Sequence, residues 1–161
     1  ASILFLVVTA ILLLINRQPR TEELIASYYF APSPKLKVRG GEMPDEPSFS
    51  ETYLYAAYTG KDFESVIEGA PKVLADSLSK EKRSWLHLLV GIAFLETGEL
   101  DSAEVYIKGA NVHPNQQSWY QAMVSLHADQ TETLQTQLKA IASDSLHIYQ
   151  PQAVRLLQEW D

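Results

Sequence analysis

The chain contains no cysteine, which removes disulfides, thiolate nucleophiles, iron–sulfur clusters and Cys-based zinc sites together. Seven Gly and eight Pro among 161 residues are too few for collagen-like or low-complexity classes. Positive charge is also scarce: 13 Lys plus Arg against 20 Asp plus Glu give a net charge of −7, the wrong sign for electrostatic binding of nucleic acid. There is no P-loop, no G-x-G-x-x-G turn and no G-x-S-x-G elbow. His87, His113, His127 and His147 fall on separate predicted elements, and none belongs to an H-E-x-x-H pair. The reading therefore assigns no catalytic residue, no metal ligand and no cofactor. Paired carboxylates such as Glu22 with Glu23, or Glu96 with Glu99, suit solvated faces and helix ends. Hydrophobic residues make up 46% and charged residues 20%, which fits a folded chain with one core-bearing domain.

Residues 1–15, ASILFLVVTAILLLI, carry no charge and end abruptly at Asn16-Arg17-Gln18-Pro19-Arg20. Fifteen helical residues reach about 22 Å, short of the ~30 Å hydrocarbon core. The run is therefore expected to be the visible part of a transmembrane helix that starts upstream of residue 1, with residues 1–20 as the anchor. No small-residue cleavage site follows it, which argues against a signal peptide. Arg17 and Arg20 alone would favour a cytoplasmic C-terminal flank.

Thr21, with Glu22 and Glu23 behind it, predicts a short helix that Pro32 ends. Residues 31–47, APSPKLKVRGGEMPDEP, read as an extended linker within the 21–47 segment. Lys35, Lys37 and Arg39 in it would be solvated or lie near anionic lipid. From 48 to 161 the pattern is helical throughout, without period-two alternation. Ser48 and Glu51 form a candidate capping box, and Gly60 is the expected stop of the first helix. Helices then follow at about 62–75, 81–97, 100–111, 117–128, 132–143 and 149–160. The predicted class is all-α.

Internal similarity carries more information than any one helix. Ser84-Trp85 and Ser118-Trp119 lie 34 residues apart, and the same offset superimposes Val90 on Val124, Leu100 on Leu134 and Ile107 on Ile141. Gly91, Phe94, Gly98, Leu100, Ala103 and Ala110 occupy small and aromatic positions of a tetratricopeptide-like helical hairpin, with Pro114 closing the unit. Gly91 and Ala103 are expected at the close helix contact. An earlier unit places Ala56, Gly60, Phe63, Val66, Ala70 and Val73 similarly at an offset of about 37, with one extra residue in its Gly-Lys-Asp-Phe turn. A third has Asp129-Gln130-Thr131 where a turn Gly is expected, and Gln137 at a usual Ala. Ala153, Leu156, Leu157 and Trp160 form one stripe of a capping helix. The expectation is a transmembrane helix followed by a short α-solenoid of about three hairpins plus a cap.

The stretch TEELIASYYFAPSPKLKVRGG, between an apolar run and such repeats, resembles a group of single-span, membrane-anchored tetratricopeptide-repeat proteins of Bacteroidota. Ser118-Trp119-Tyr120 and the closing helix resemble that group's last repeat and cap. The resemblance implies an inner-membrane protein with one span and a periplasmic repeat domain. In many relatives a cytoplasmic part, sometimes resembling a sigma-factor regulator, precedes the span. The function expected from this is a non-catalytic interaction subunit, scaffolding an integral inner-membrane complex and touching lipid through residues 1–15. A transmembrane regulator and a periplasmic holdase beside an export channel are the alternatives. The first helices of the repeats would line a groove, with Tyr55, Tyr58, Ile92, Glu96 and Gln130 as candidate partner contacts. Packing between repeats is the competing role for Tyr55 and Tyr58, as it is for Trp85 and Trp119.

Overall fold

The computed structural model describes residues 50–160. The apolar run, the helix expected after Thr21, the 31–47 linker and Ser48 lie outside the described residues. Within them are seven helices and no strand: α1 Glu51–Thr59, α2 Phe63–Leu74, α3 Lys80–Glu96, α4 Leu100–Gly109, α5 Pro114–His127, α6 Thr131–Ser143 and α7 Gln150–Trp160. Each helix packs on the next, and α5 also touches α3. The result is a solenoid-like stack of three hairpins, α1/α2, α3/α4 and α5/α6, closed by α7. No helix among the described residues is long and apolar enough to cross a membrane.

Helix starts follow local chemistry. Ser50, Asp62 and Ser79 accept hydrogen bonds at 3.2, 3.2 and 3.3 Å from the backbone N–H groups of Tyr53, Ser65 and Lys82, satisfying donors that a helix leaves open. The cap of α1 is thus Ser50. Glu51 becomes the first helical residue and pairs with Lys82 at 3.0 Å. α5 starts at Pro114, three residues earlier than expected, because proline's missing N–H costs nothing in the first helical turn. Pro114 opens the third unit; it does not close the second.

The three hairpin turns are copies of one another. Lys61, Gly98 and Asp129 hold the left-handed conformation, with φ of 60°, 81° and 53°. The N–H one residue later, on Asp62, Glu99 or Gln130, donates back to Ala57, Phe94 or Ser125 at 2.8–2.9 Å, closing the wide ring of a Schellman cap. The first turn therefore has no extra residue. Its glycine, Gly60, sits one place early in ordinary helical conformation, and Lys61 takes the position where Gly98 stands.

Counting from these turn residues gives the repeat its true register. Five, nine and twelve residues on lie Val66/Ala103/Leu134, Ala70/Ile107/Leu138 and Val73/Ala110/Ile141, and all nine are buried. The 34-residue offset holds at the starts of α3 and α5, but α5 has 14 residues against 17 in α3. Leu134 is consequently the counterpart of Ala103 and not of Leu100. At Gly91 α3 lies close against α4: a Cβ there would stand 2.6 Å from Ile107 Cγ1, 2.9 Å from its backbone N and 3.2 Å from the carbonyl of Ala103. Phe94 and Tyr106 fill the same hairpin, with ring centroids 5.3 Å apart.

The duplicated Ser-Trp pair grips the next unit. Ser84 Oγ accepts from Val112 N–H at 3.0 Å, while Trp85 meets His113 edge-on at 5.3 Å. One unit later, Ser118 Oγ lies 2.7 Å from His147 Nε2, and Trp119 stacks on Tyr149 at 5.1 Å. Each serine holds the loop that leads into the following hairpin or cap, and each indole packs on an aromatic of that loop. Trp119 is fully buried, Trp85 half-buried. In α7, Ala153 and Leu156 are fully buried and Leu157 partly so.

Candidate functional site

The first helices of the hairpins and the α6–α7 loop bring four side chains near one another: Tyr58 from the end of α1, Glu96 from the end of α3, Tyr120 from α5, and Tyr149 just before α7. Tyr120 and Tyr149 share a hydrogen bond between their hydroxyls. Burial, and after it the negative field of Glu96, pushes the Tyr58 hydroxyl far above the ordinary tyrosine range. Tyr120 is raised further by burial, with Tyr149, Tyr58 and Glu96 adding to it. All three phenols therefore stay protonated at neutral pH, and Tyr120 donates to Tyr149. The Tyr58 hydroxyl is buried without a partner, and its ring meets Phe63 edge-on at 6.0 Å. Glu96 is exposed and makes no ion pair among the described residues. What this junction leaves accessible is the carboxylate of Glu96 and part of the Tyr149 ring, a combination suited to a basic side chain.

The five residues expected to contact a partner do not share one surface. Tyr55 and Ile92 occupy the same place in successive units, six residues before the left-handed turn residue, and both are buried, as is their counterpart Met123. They belong to the core, because this position faces the paired helix. Burial, then the charge of Glu51, pushes the Tyr55 hydroxyl up to about 12. Tyr58 fills the position of Leu95 and Leu126, also core. Glu96 is exposed at the junction. Gln130 is exposed next to the third turn, at the N-cap position of α6, and lines a cleft whose walls include none of the other four.

That cleft, about 250 Å³, lies between α4, α5 and α6. Asp101, Glu104 and Lys108 form one wall and Gln121, Ser125, Thr133 and Gln137 the other. Lys108 and Glu104 neutralise one another at 2.6 Å. Gln137 Oε1 is buried and unpartnered, at the position that Gly69 and Tyr106 hold in the other units. The histidines stay apart. Among the described residues no group of three His, Asp or Glu is placed to hold a metal ion. His87 is lowered by burial and then by Arg83, and His127 by burial. Exposed apolar side chains are few: Val105 on α4, and Leu146 and Ile148 flanking His147.

No family model, no curated protein and no solved structure matches this chain. The site is accordingly argued from its own residues. Tyr120 and Tyr149 are the two members that the sequence reading passed over. Tyr120 directly follows the repeated Ser-Trp pair, and Tyr149 opens the cap, so both were visible as neighbours of motifs. Their meeting at Tyr58 required the stacking of three separate hairpins.

Proposed function

We propose that the chain is a non-catalytic, membrane-anchored protein-interaction subunit, with residues 1–15 in an inner membrane and tetratricopeptide-like hairpins on the periplasmic side scaffolding an integral membrane complex. The observation that carries this reading is the convergence of α1, α3, α5 and the α6–α7 loop on Tyr58, Glu96, Tyr120 and Tyr149. Successive first helices of a hairpin stack align their faces, and contact area then accumulates without a catalytic pocket. Half-buried Tyr149 and exposed Glu96 are the accessible part of that face. Glu96 would receive a basic side chain of the partner, with half-buried Tyr149 supplying the aromatic contact that usually dominates such surfaces. The likeness of residues 21–41 and 118–120 to the Bacteroidota group supports the anchor and the periplasmic placement.

The test is site-directed photo-crosslinking of the full chain in native membranes. A photoreactive residue at Glu96 is expected to capture one integral membrane protein, and the same residue at Val105, on α4, is expected to capture none. Capture from Val105 alone would move the interface to the second helices and overturn the reading. Extraction of the chain by carbonate would remove the anchor, and inactivity of a phosphatase fused after Asp161 would remove the periplasmic placement.

A further inference from the structure

One imidazole in the loop between α6 and α7 makes hydrogen bonds both within the loop and to α5. His147 is 8% exposed, although Leu146 and Ile148 on either side of it face solvent. Its Nδ1 accepts the backbone N–H of Tyr149 at 3.2 Å. A backbone N–H can only donate, so Nδ1 carries a lone pair and the ring proton sits on Nε2. Nε2 faces Ser118 Oγ at 2.7 Å. Ser118 spends its own proton on the carbonyl of Pro114 at 2.8 Å, with Asn115's carbonyl at 3.1 Å, and so receives the Nε2 proton. Every polar atom of the pair thus has one role, and that set of roles exists only for neutral histidine.

From this geometry we infer that His147 is an acid-sensitive latch, whose protonation releases the α6–α7 loop and loosens the capping helix α7 from the stack. A proton on Nδ1 sets two donors against each other at the Tyr149 amide, so that hydrogen bond is lost. Tyr149 is also the residue that stacks on Trp119 and bonds to Tyr120, so the same event weakens two ties between the cap and α5 and leaves a charged ring on the hydrogen bond to Ser118. Because Tyr149 belongs to the tyrosine junction, the latch links acidity to the shape of that surface; the inference itself does not depend on any partner.

The surroundings favour the neutral ring. Burial lowers the His147 imidazole below the usual histidine range, and Asp144 on the same loop opposes this. α5 presents Ser118 and Trp119 and contains no Asp, Glu, Lys or Arg. Glu132 and Lys139 on α6, and Arg155 and Glu159 on α7, do not perturb the ring, and Tyr149 stays neutral at these pH values. Gln150, the first residue of α7, is held by Ala142 at 3.3 Å and by the His147 carbonyl at 2.9 Å, so α7 hangs from the same loop.

Hydrogen exchange of the full chain in detergent, with rates corrected for the intrinsic effect of pH, tests this. Protection of the α7 amides is expected to fall at least about tenfold between pH of about 7.5 and about 5, while α3 and α4 change by less than about threefold. His147→Gln, which does not titrate, should make α7 protection flat over that range. NMR titration of the His147 ring in the unaltered chain should give a midpoint within about half a unit of the α7 transition, which keeps the test valid if the variant folds poorly. Unchanged α7 protection, an equal fall in His147→Gln, or midpoints that differ by more would each overturn the latch.

Discussion

Gly91→Ala isolates the close approach on which the second hairpin is built. A methyl at this position meets Ile107 Cγ1 at 2.6 Å, Ile107 N at 2.9 Å and the Ala103 carbonyl at 3.2 Å. The first contact can be relieved by a change of side-chain rotamer, at roughly 0.5–1.5 kcal/mol. The other two are with backbone of α4, so relief requires α4 to move away from α3. Overpacking of this kind costs roughly 1–3 kcal/mol. Alanine recovers about 1 kcal/mol in a helix interior relative to glycine, and the net expectation is a loss of about 1–2 kcal/mol. Urea unfolding followed by circular dichroism should show a lower midpoint with an unchanged slope. Ile107→Ala should not rescue the variant, because the backbone contacts remain. A variant as stable as the parent, or one stabilised by the helix preference alone, would refute the claim that α3 and α4 touch through Gly91.

Two of the three left-handed turn residues give opposite expectations. Lys61→Gly should stabilise by up to about 1 kcal/mol, since glycine holds φ of 60° without strain, whereas Gly98→Ala should cost about 1–2 kcal/mol although no atom lies within 4 Å of the added methyl. Tyr58→Phe removes a buried hydroxyl that has no partner, and should leave stability unchanged or raise it by about 1 kcal/mol in the same urea measurement. For pH dependence, His87, His127 and His147 are all lowered in the folded state, chiefly by burial, so the stability linked to them is complete above the ordinary histidine pKa of about 6.5 and is lost as pH falls through the folded values. At the alkaline end the raised tyrosines reverse the sign: stability linked to Tyr55, Tyr58 and Tyr120 is complete below about 10 and declines as pH rises above it. Midpoints measured between those limits should form a plateau; a midpoint that rises on acidification would contradict the histidine assignment.

Most helices were legible because their signals are local. The apolar spacing of Val66, Ala70 and Val73 is a property of a few consecutive residues, and burial acts on it directly, whereas the caps Asp62 and Ser79 went unread. The Gly91–Ala103 contact was legible for the same reason: two small residues on the facing sides of one hairpin. Errors arose where a general rule met a particular residue. Gly60 was read as the turn glycine, yet the ring closed by Asp62 N–H places Lys61 in the left-handed position, because the turn geometry counts residues from the helix end and tolerates a strained lysine there. Pro114 was read as a terminator, and the same lack of an N–H lets it begin a helix.

The sequence by itself determined the helical class, the hairpin repeat, the capping helix and the likeness of residues 84–85 to 118–119, since each rests on periodicity or on matching residues within one chain segment. Only the tertiary structure decided what those residues do. Packing of the hairpins buried Ile92 and Tyr55 in equivalent core positions and left Glu96 exposed, a division that hydrophobicity cannot make for a tyrosine with one apolar face and one polar tip. The offset of 34 residues concealed a three-residue shortening of α5, which moved every later equivalence; a helix may lose nearly one turn and keep its buried face, so the pattern survives while the register shifts. Tyr58, Tyr120 and Tyr149 come from three elements far apart in sequence, as do Ser118 and His147. Their meeting depends on the angle and spacing of whole hairpins, quantities set by the packing of many side chains at once.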